Sequence, residues 1–261
     1  MKELLVISGK GGTGKTTIVG AFASLAKASS LTNDTVLADC DVCRFDAITA
    51  HEESVEIEPI SCEGCAVCSH ICPKHAISME DVVAGHWFVS DTPYGPLVHS
   101  KLGIAEENSG KLVMEVRREA RRIAETIESR LIISDGPPGI GCPVISSMSG
   151  GDLALIVTEP TVAGVHDMER LYALACGFDI EVMVCINKYD LDYEVSAEIE
   201  EYCDARNIAV AGKVPFDEEV VKALVKGEPI ISPEHTDEDS KSPAARAVEQ
   251  LWDEVYRLCE Q

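Results

Sequence analysis

Gly9-Lys10-Gly11-Gly12-Thr13-Gly14-Lys15-Thr16 has the spacing G-x-x-x-x-G-K-[ST], and its reading decides the fold. The stretch follows the apolar run 4–7 and opens a helical pattern over 16–27, so it joins a strand to a helix. Glycines at this spacing let several backbone N–H groups converge on phosphate oxygens. The start of the helix adds roughly half a positive charge at the same point. Lys15 is expected to reach the β- and γ-phosphates of a nucleoside triphosphate, and the Thr16 hydroxyl to bind Mg²⁺. Gly9, Gly11, Gly12, Thr13, Gly14, Lys15, Thr16 and Thr17 are therefore the candidate phosphate contacts.

Outward from the loop, short apolar runs alternate with helical patterns. The runs lie at 4–7, 35–38, 131–134, 153–158, 182–186 and 208–210. Such alternation is the mark of βαβ units, and it predicts an α/β fold whose mostly parallel sheet carries helices on both faces. Val162, Val165, Met168, Leu171, Tyr172 and Ala175 recur at helical spacing and are expected to face that sheet. Further helices are expected over about 114–129 and 242–259. Val, Ile, Leu and Ala dominate the apolar residues, as strands buried on both sides require. Residues 1–42 and 111–261 form this main domain.

Residues 43–110 break the alternation and are expected to be an insert with its own small fold. Cys62-x₂-Cys65-x₂-Cys68-x₃-Cys72-Pro73 lies inside it. That is the spacing of a bacterial ferredoxin run, and it predicts a [4Fe–4S] cluster held by Cys62, Cys65, Cys68 and Cys72. Zinc is the alternative, although zinc sites usually use two separated knuckles. The chain has 11 cysteines and no secretory signal, which points to a reducing, cytoplasmic setting rather than a disulfide framework. A formal charge of −23 argues against nucleic-acid and anionic-membrane partners.

Lys10 is a second lysine within the phosphate loop, and with it the sequence resembles the MinD/Mrp/ParA family, the group with a deviant Walker A loop. The resemblance implies a homodimer closed around two nucleotides, with Lys10 reaching the partner's phosphates. It assigns Asp41 to positioning of attacking water, Asp39 to the outer Mg²⁺ shell and Asp135 to the Walker B carboxylate. Gly136-Pro137-Pro138-Gly139 resembles switch II. Asn187, in Asn187-Lys188-Tyr189-Asp190, resembles the base-recognition segment, and an amide suits an adenine edge. A helix cap is the other reading of that Asn. Pro215 and Asp217 resemble the loop that closes over the base.

The insert narrows the resemblance to MinD-superfamily ATPases that contain an inserted ferredoxin domain. Those proteins commonly have two cysteine runs; here there is one, and Cys72 lacks its usual cluster. Cys43 or a dimeric arrangement of two inserts could complete the ligand set. By this resemblance the chain is an ATP-hydrolysing switch, with ATP, Mg²⁺ and a [4Fe–4S] cluster as cofactors and a redox or metallocluster client as partner. The alternative is a positional ATPase that organises a protein cargo, with a structural metal site. A third class, a metabolite kinase or ligase, shares the loop but shows no substrate motif. Cys142, directly after switch II, reads as a small buried side chain or as a thiol that senses nucleotide state.

Overall fold

The computed structural model describes residues 2–10, 12–28, 35–39, 48–50, 55–57, 85–102, 110–178, 180–231 and 241–259. In chain order the main elements are β1 (Lys2–Ser8), α1 (Lys15–Ala28), β2 (Thr35–Asp39), β3 (Ile48–Ala50), β4 (Val55–Ile57), β5 (Gly85–Thr92) and β6 (Gly95–Leu102). They continue with α2 (Gly110–Thr126), β7 (Leu131–Pro138), α3 (Cys142–Met148), β8 (Leu153–Thr158), α4 (Val162–Ala175) and β9 (Glu181–Asn187). The last are α5 (Tyr193–Asp204), β10 (Ala209–Val214), α6 (Glu218–Lys226) and α7 (Pro243–Cys259).

Eight strands form one sheet in the order β10-β9-β8-β1-β7-β2-β6-β5. Every neighbouring pair is parallel except β5 with β6. The parallel strands explain the unbroken apolar runs. In β1, Leu4 and Val6 join one core with Phe22 of α1 and Trp252 of α7, while Leu5 and Ile7 join the opposite core with Met168 and Leu171 of α4. A strand buried on both faces has no solvent side to make polar. A third cluster packs Val113, Val116 and Ala120 of α2 against Val36, Ala38 and Val98. Burial of each large side chain in these layers contributes about 1.5–3 kcal/mol.

Two expectations differ from the structure. Val162 was expected to face the sheet with Met168 and Leu171; it is 83% exposed. It is the first residue of α4, directly after the Thr161 cap. The hairpin β5–β6, expected within the insert, is instead the outer part of the main sheet, because β6 pairs with β2 at Leu37↔Leu97 and Ala38↔Val98. The separate two-stranded sheet, β3 with β4, pairs Ile48 with Ile57 inside the 43–110 stretch. Residues 58–84 lie outside the described residues.

A buried ionic network closes the sheet at the end opposite the phosphate loop. Glu3 accepts a 2.6 Å bond from Arg117 Nε and bonds of 2.6 and 3.0 Å from Arg121. Ser134 Oγ also donates to Glu3. Burial alone would raise the Glu3 pKa; the hydrogen bond and charge of Arg117, with those of Arg121, outweigh it and hold the carboxyl below its ordinary range. Arg117 Nη1 also donates to the carbonyls of Ser146 and Ser149, at the end of α3, so α2 clamps α3. At its N-terminal end α2 touches α3 again: a Cβ on Gly110 would collide with Ser146 Oγ and crowd the Cys142 carbonyl.

Candidate nucleotide site

The phosphate loop leaves the C-terminal end of β1, the edge where open parallel sheets bind ligands. Its shape is held from within: Ser8 Oγ donates to the Lys10 carbonyl at 2.8 Å, and Thr13 Oγ1 to the same oxygen at 3.4 Å. Gly12 and Gly14 have φ of 82° and 90°, values that only glycine adopts at low cost. Gly14 is also hemmed in, since a Cβ there would collide with Asn187 Nδ2. Gly11 lies outside the described residues.

Lys15, Thr16 and Asp135 meet at the mouth of the loop. Lys15 Nζ lies 2.8 Å from Asp135 Oδ1, and Thr16 Oγ1 donates to Asp135 Oδ2 at 2.7 Å. Lys15 and Asp135 are both buried. In parallel register Asp39 sits beside Asp135 on the neighbouring strand. Asp41 lies outside the described residues. Lys10 is exposed, with its carbonyl fixed by Ser8 and Thr13. Thr17 is half-buried in the first turn of α1.

The Gly-Pro-Pro-Gly stretch ends β7, and the Gly139 amide donates to the Ser8 carbonyl at 3.0 Å. The two loops are thereby tied together one residue before the phosphate-binding glycines begin. Cys142, read either as a small buried side chain or as a thiol that senses nucleotide state, is exposed at the first turn of α3, which the buried reading did not expect. Its neighbour Pro143 takes the inner position instead. Cys185 and Cys203 are buried, and burial pushes their thiols up to about 12 and about 11. Thiols this hard to ionise are unreactive packing groups.

On the β9 side Asn187 is buried, and its Nδ2 donates to the Thr13 carbonyl at 2.7 Å. The side chain thus braces the phosphate loop directly. Lys188, at φ 56°, bonds Glu159 at 2.5 Å. The Phe216 amide donates to Asp190 Oδ1, joining the segments after β9 and β10. Pro215 is half-buried beside them. Asp217 caps α6 by accepting from the Glu219 amide and also accepts from the Ala244 amide of α7. Burial would raise its pKa, but these bonds and one from Ser242 lower it. Asp167 of α4 packs so closely on Gly9 that a Cβ there would collide with it.

Cys62, Cys65, Cys68 and Cys72 lie outside the described residues. Among the described residues no group of three or more His, Cys, Asp or Glu side chains is placed to hold a metal ion. Among them, too, no helix is long and apolar enough to cross a membrane.

The profile of the CobQ/CobB/MinD/ParA nucleotide binding domain matches residues 4–230. The uncharacterized protein MJ0578 of Methanocaldococcus jannaschii is 28% identical over 297 residues, spanning 97% of this chain and 96% of that protein. The septum site-determining protein MinD of Bacillus subtilis is 28% identical over 247 residues, spanning 88% and 82%. MinD of Pyrococcus horikoshii, solved with Mg-ADP, superposes with a TM-score of 0.62 at 19% identity, covering 98% of this chain and 96% of that one. With the loop, the parallel sheet and the Lys15–Asp135–Thr16 meeting point in place, the chain belongs to the CobQ/CobB/MinD/ParA nucleotide-binding family, as a P-loop ATPase of MinD/ParA type.

Proposed function

We propose that this protein is an ATP-driven dimerisation switch that organises a protein cargo. The observation that carries the reading is the convergence of Lys15, Thr16 and Asp135 beneath a loop that leaves Lys10 exposed. Amides of the loop and the start of α1 hold the phosphates. Lys15 exchanges its Asp135 partner for the β- and γ-phosphate oxygens. The residues fit Mg²⁺: a hydroxyl and a carboxylate, both hard oxygen donors, lie 2.7 Å apart. Bound there, Mg²⁺ would neutralise phosphate charge. Asp39 supports that position from the adjacent strand, and Asp41 orients attacking water. Asn187 and Pro215 border the base, and Asn187 holds the loop as well.

Lys10 then reaches across a twofold axis to the partner's phosphates, so closure of the dimer and hydrolysis depend on each other. Loss of the γ-phosphate releases the Gly136–Gly139 stretch and with it α3. A protein rather than a membrane or nucleic-acid cargo suits the charge of −23. Sedimentation with and without a non-hydrolysable ATP analogue tests the switch. The analogue is expected to raise the mass of the wild-type species, and Lys10→Ala to bind it without that change. A wild-type mass indifferent to bound analogue sinks the reading.

The spacing of Cys62, Cys65, Cys68 and Cys72 favours a second output, electron transfer or metallocluster delivery from a [4Fe–4S] site in the insert. Four thiolates at this spacing suit the soft iron of such a cluster. Iron, sulfide and zinc analysis of anaerobically purified protein decides it. About four iron atoms with matching sulfide per chain is expected; stoichiometric zinc without iron rejects it.

A further inference from the structure

Among the described residues, the end of the sheet away from β10 has no pairing partner beyond β5. β5, Gly85-His86-Trp87-Phe88-Val89-Ser90-Asp91-Thr92, is the terminal strand of the sheet among the described residues. Its pairing with β6 runs from Gly85↔Leu102 to Thr92↔Gly95 with no shift of register. The strand is therefore regular over eight residues, roughly 27 Å. Trp87, Phe88 and Val89 are all more than two-fifths exposed, although they point alternately to the two faces.

Terminal strands are usually protected by lysines, prolines, bulges or short length, because their free N–H and C=O groups accept any extended chain. β5 itself has none of these. Charge narrows the occupant. The chain carries −23 overall, yet the hairpin 85–102 holds one aspartate, Asp91, and one lysine, Lys101. Two copies approaching through most surfaces repel each other; through this neutral hairpin they do not.

We infer that β5 pairs antiparallel with β5 of a second copy, extending the sheet across a twofold axis. A twofold perpendicular to the sheet requires partners of the same face, which the register centred on Phe88 satisfies. Phe88 then meets Phe88 of the second copy. Trp87 lies opposite Val89 twice, and His86 opposite Ser90 twice. Aromatic pairs and aromatic–β-branched pairs are among the favourable cross-strand neighbours. Phe88 is already fixed from its own hairpin, stacked on His99 at 5.6 Å, and His99 bonds Ser90 at 2.9 Å. This contact lies at the sheet edge and needs no nucleotide, so it is distinct from closure through Lys10.

Sedimentation of the nucleotide-free, full-length protein across the micromolar range, with hydrogen exchange at β5, tests the inference. The expected result is a dimer for the wild type and for Lys15→Ala, with slow exchange along β5. Phe88→Lys is expected to be monomeric while binding an ATP analogue as the wild type does. If Phe88→Lys fails to bind the analogue, Val89→Lys takes its place with the same expectation. A nucleotide-free wild type that is monomeric overturns the inference. Slow exchange along β5 in such a monomer assigns the strand to a segment of its own chain. A dimer that survives both lysine substitutions places the contact elsewhere and overturns it equally.

Discussion

Lys15→Ala lowers ATP turnover by about 10³-fold or more, a loss comparable to removing a dedicated cation from a phosphoryl-transfer site. Lys15 is buried, and its ammonium group lies 2.8 Å from Asp135. A group so placed can follow the phosphates without being stripped of water during the reaction, because it is already desolvated. The substitution also leaves the buried Asp135 carboxylate bonded to Thr16 but without its cation. Lys10→Ala is a contrast, since Lys10 is exposed and its removal leaves no buried charge behind. Single-turnover assays separate the two: Lys15→Ala fails at every protein concentration. The assignment of Lys15 is wrong if its alanine variant hydrolyses ATP within tenfold of the wild type.

Glu3→Ala destabilises the fold by about 3–5 kcal/mol, because it leaves Arg117 buried without its carboxylate partner. Against a total stability of about 5–15 kcal/mol, that is a large fraction. Denaturant unfolding should show a lower midpoint at nearly unchanged slope. The exposed Lys213–Glu200 pair is the control, and Glu200→Ala should leave the midpoint nearly where it was. The sign of the pH dependence follows from the same network. The folded-state pKa of Glu3 lies below its unfolded value. Its contribution is therefore full above the ordinary carboxylate range and is lost as pH falls through the folded value. The wild type should lose stability on acidification below that range more steeply than Glu3→Ala. Parallel acid profiles for the two proteins would contradict the role given to this network.

Strands β1, β7, β8 and β9 were legible because burial on both faces leaves continuous apolar runs. The hairpin β5–β6 was not: its outer strand is exposed on both faces, so residues 86–91 show only the short run Trp87-Phe88-Val89 and no alternation. Helix α3, at seven residues, is too short for periodicity to report. In the site, the loop from Gly9 to Thr16 was readable because all its chemistry is local. The bond from Asn187 to Thr13 spans 174 residues, and nothing near Asn187 announces its partner. Asp217 shows the opposite difficulty. Its loop resembles a base-closing segment, while its carboxylate serves as the cap of one helix and a contact of the next. A motif names a neighbourhood, and only the fold decides which atoms in it are already engaged.

The contact at Gly110 has a mechanical meaning. There bare backbone lies against Ser146 and Cys142, so no side chain is available to cushion or absorb displacement. Arg117 grips the far end of the same short helix. Held at both points, the short helix α3 is coupled to α2, so a tilt of one is passed to the other.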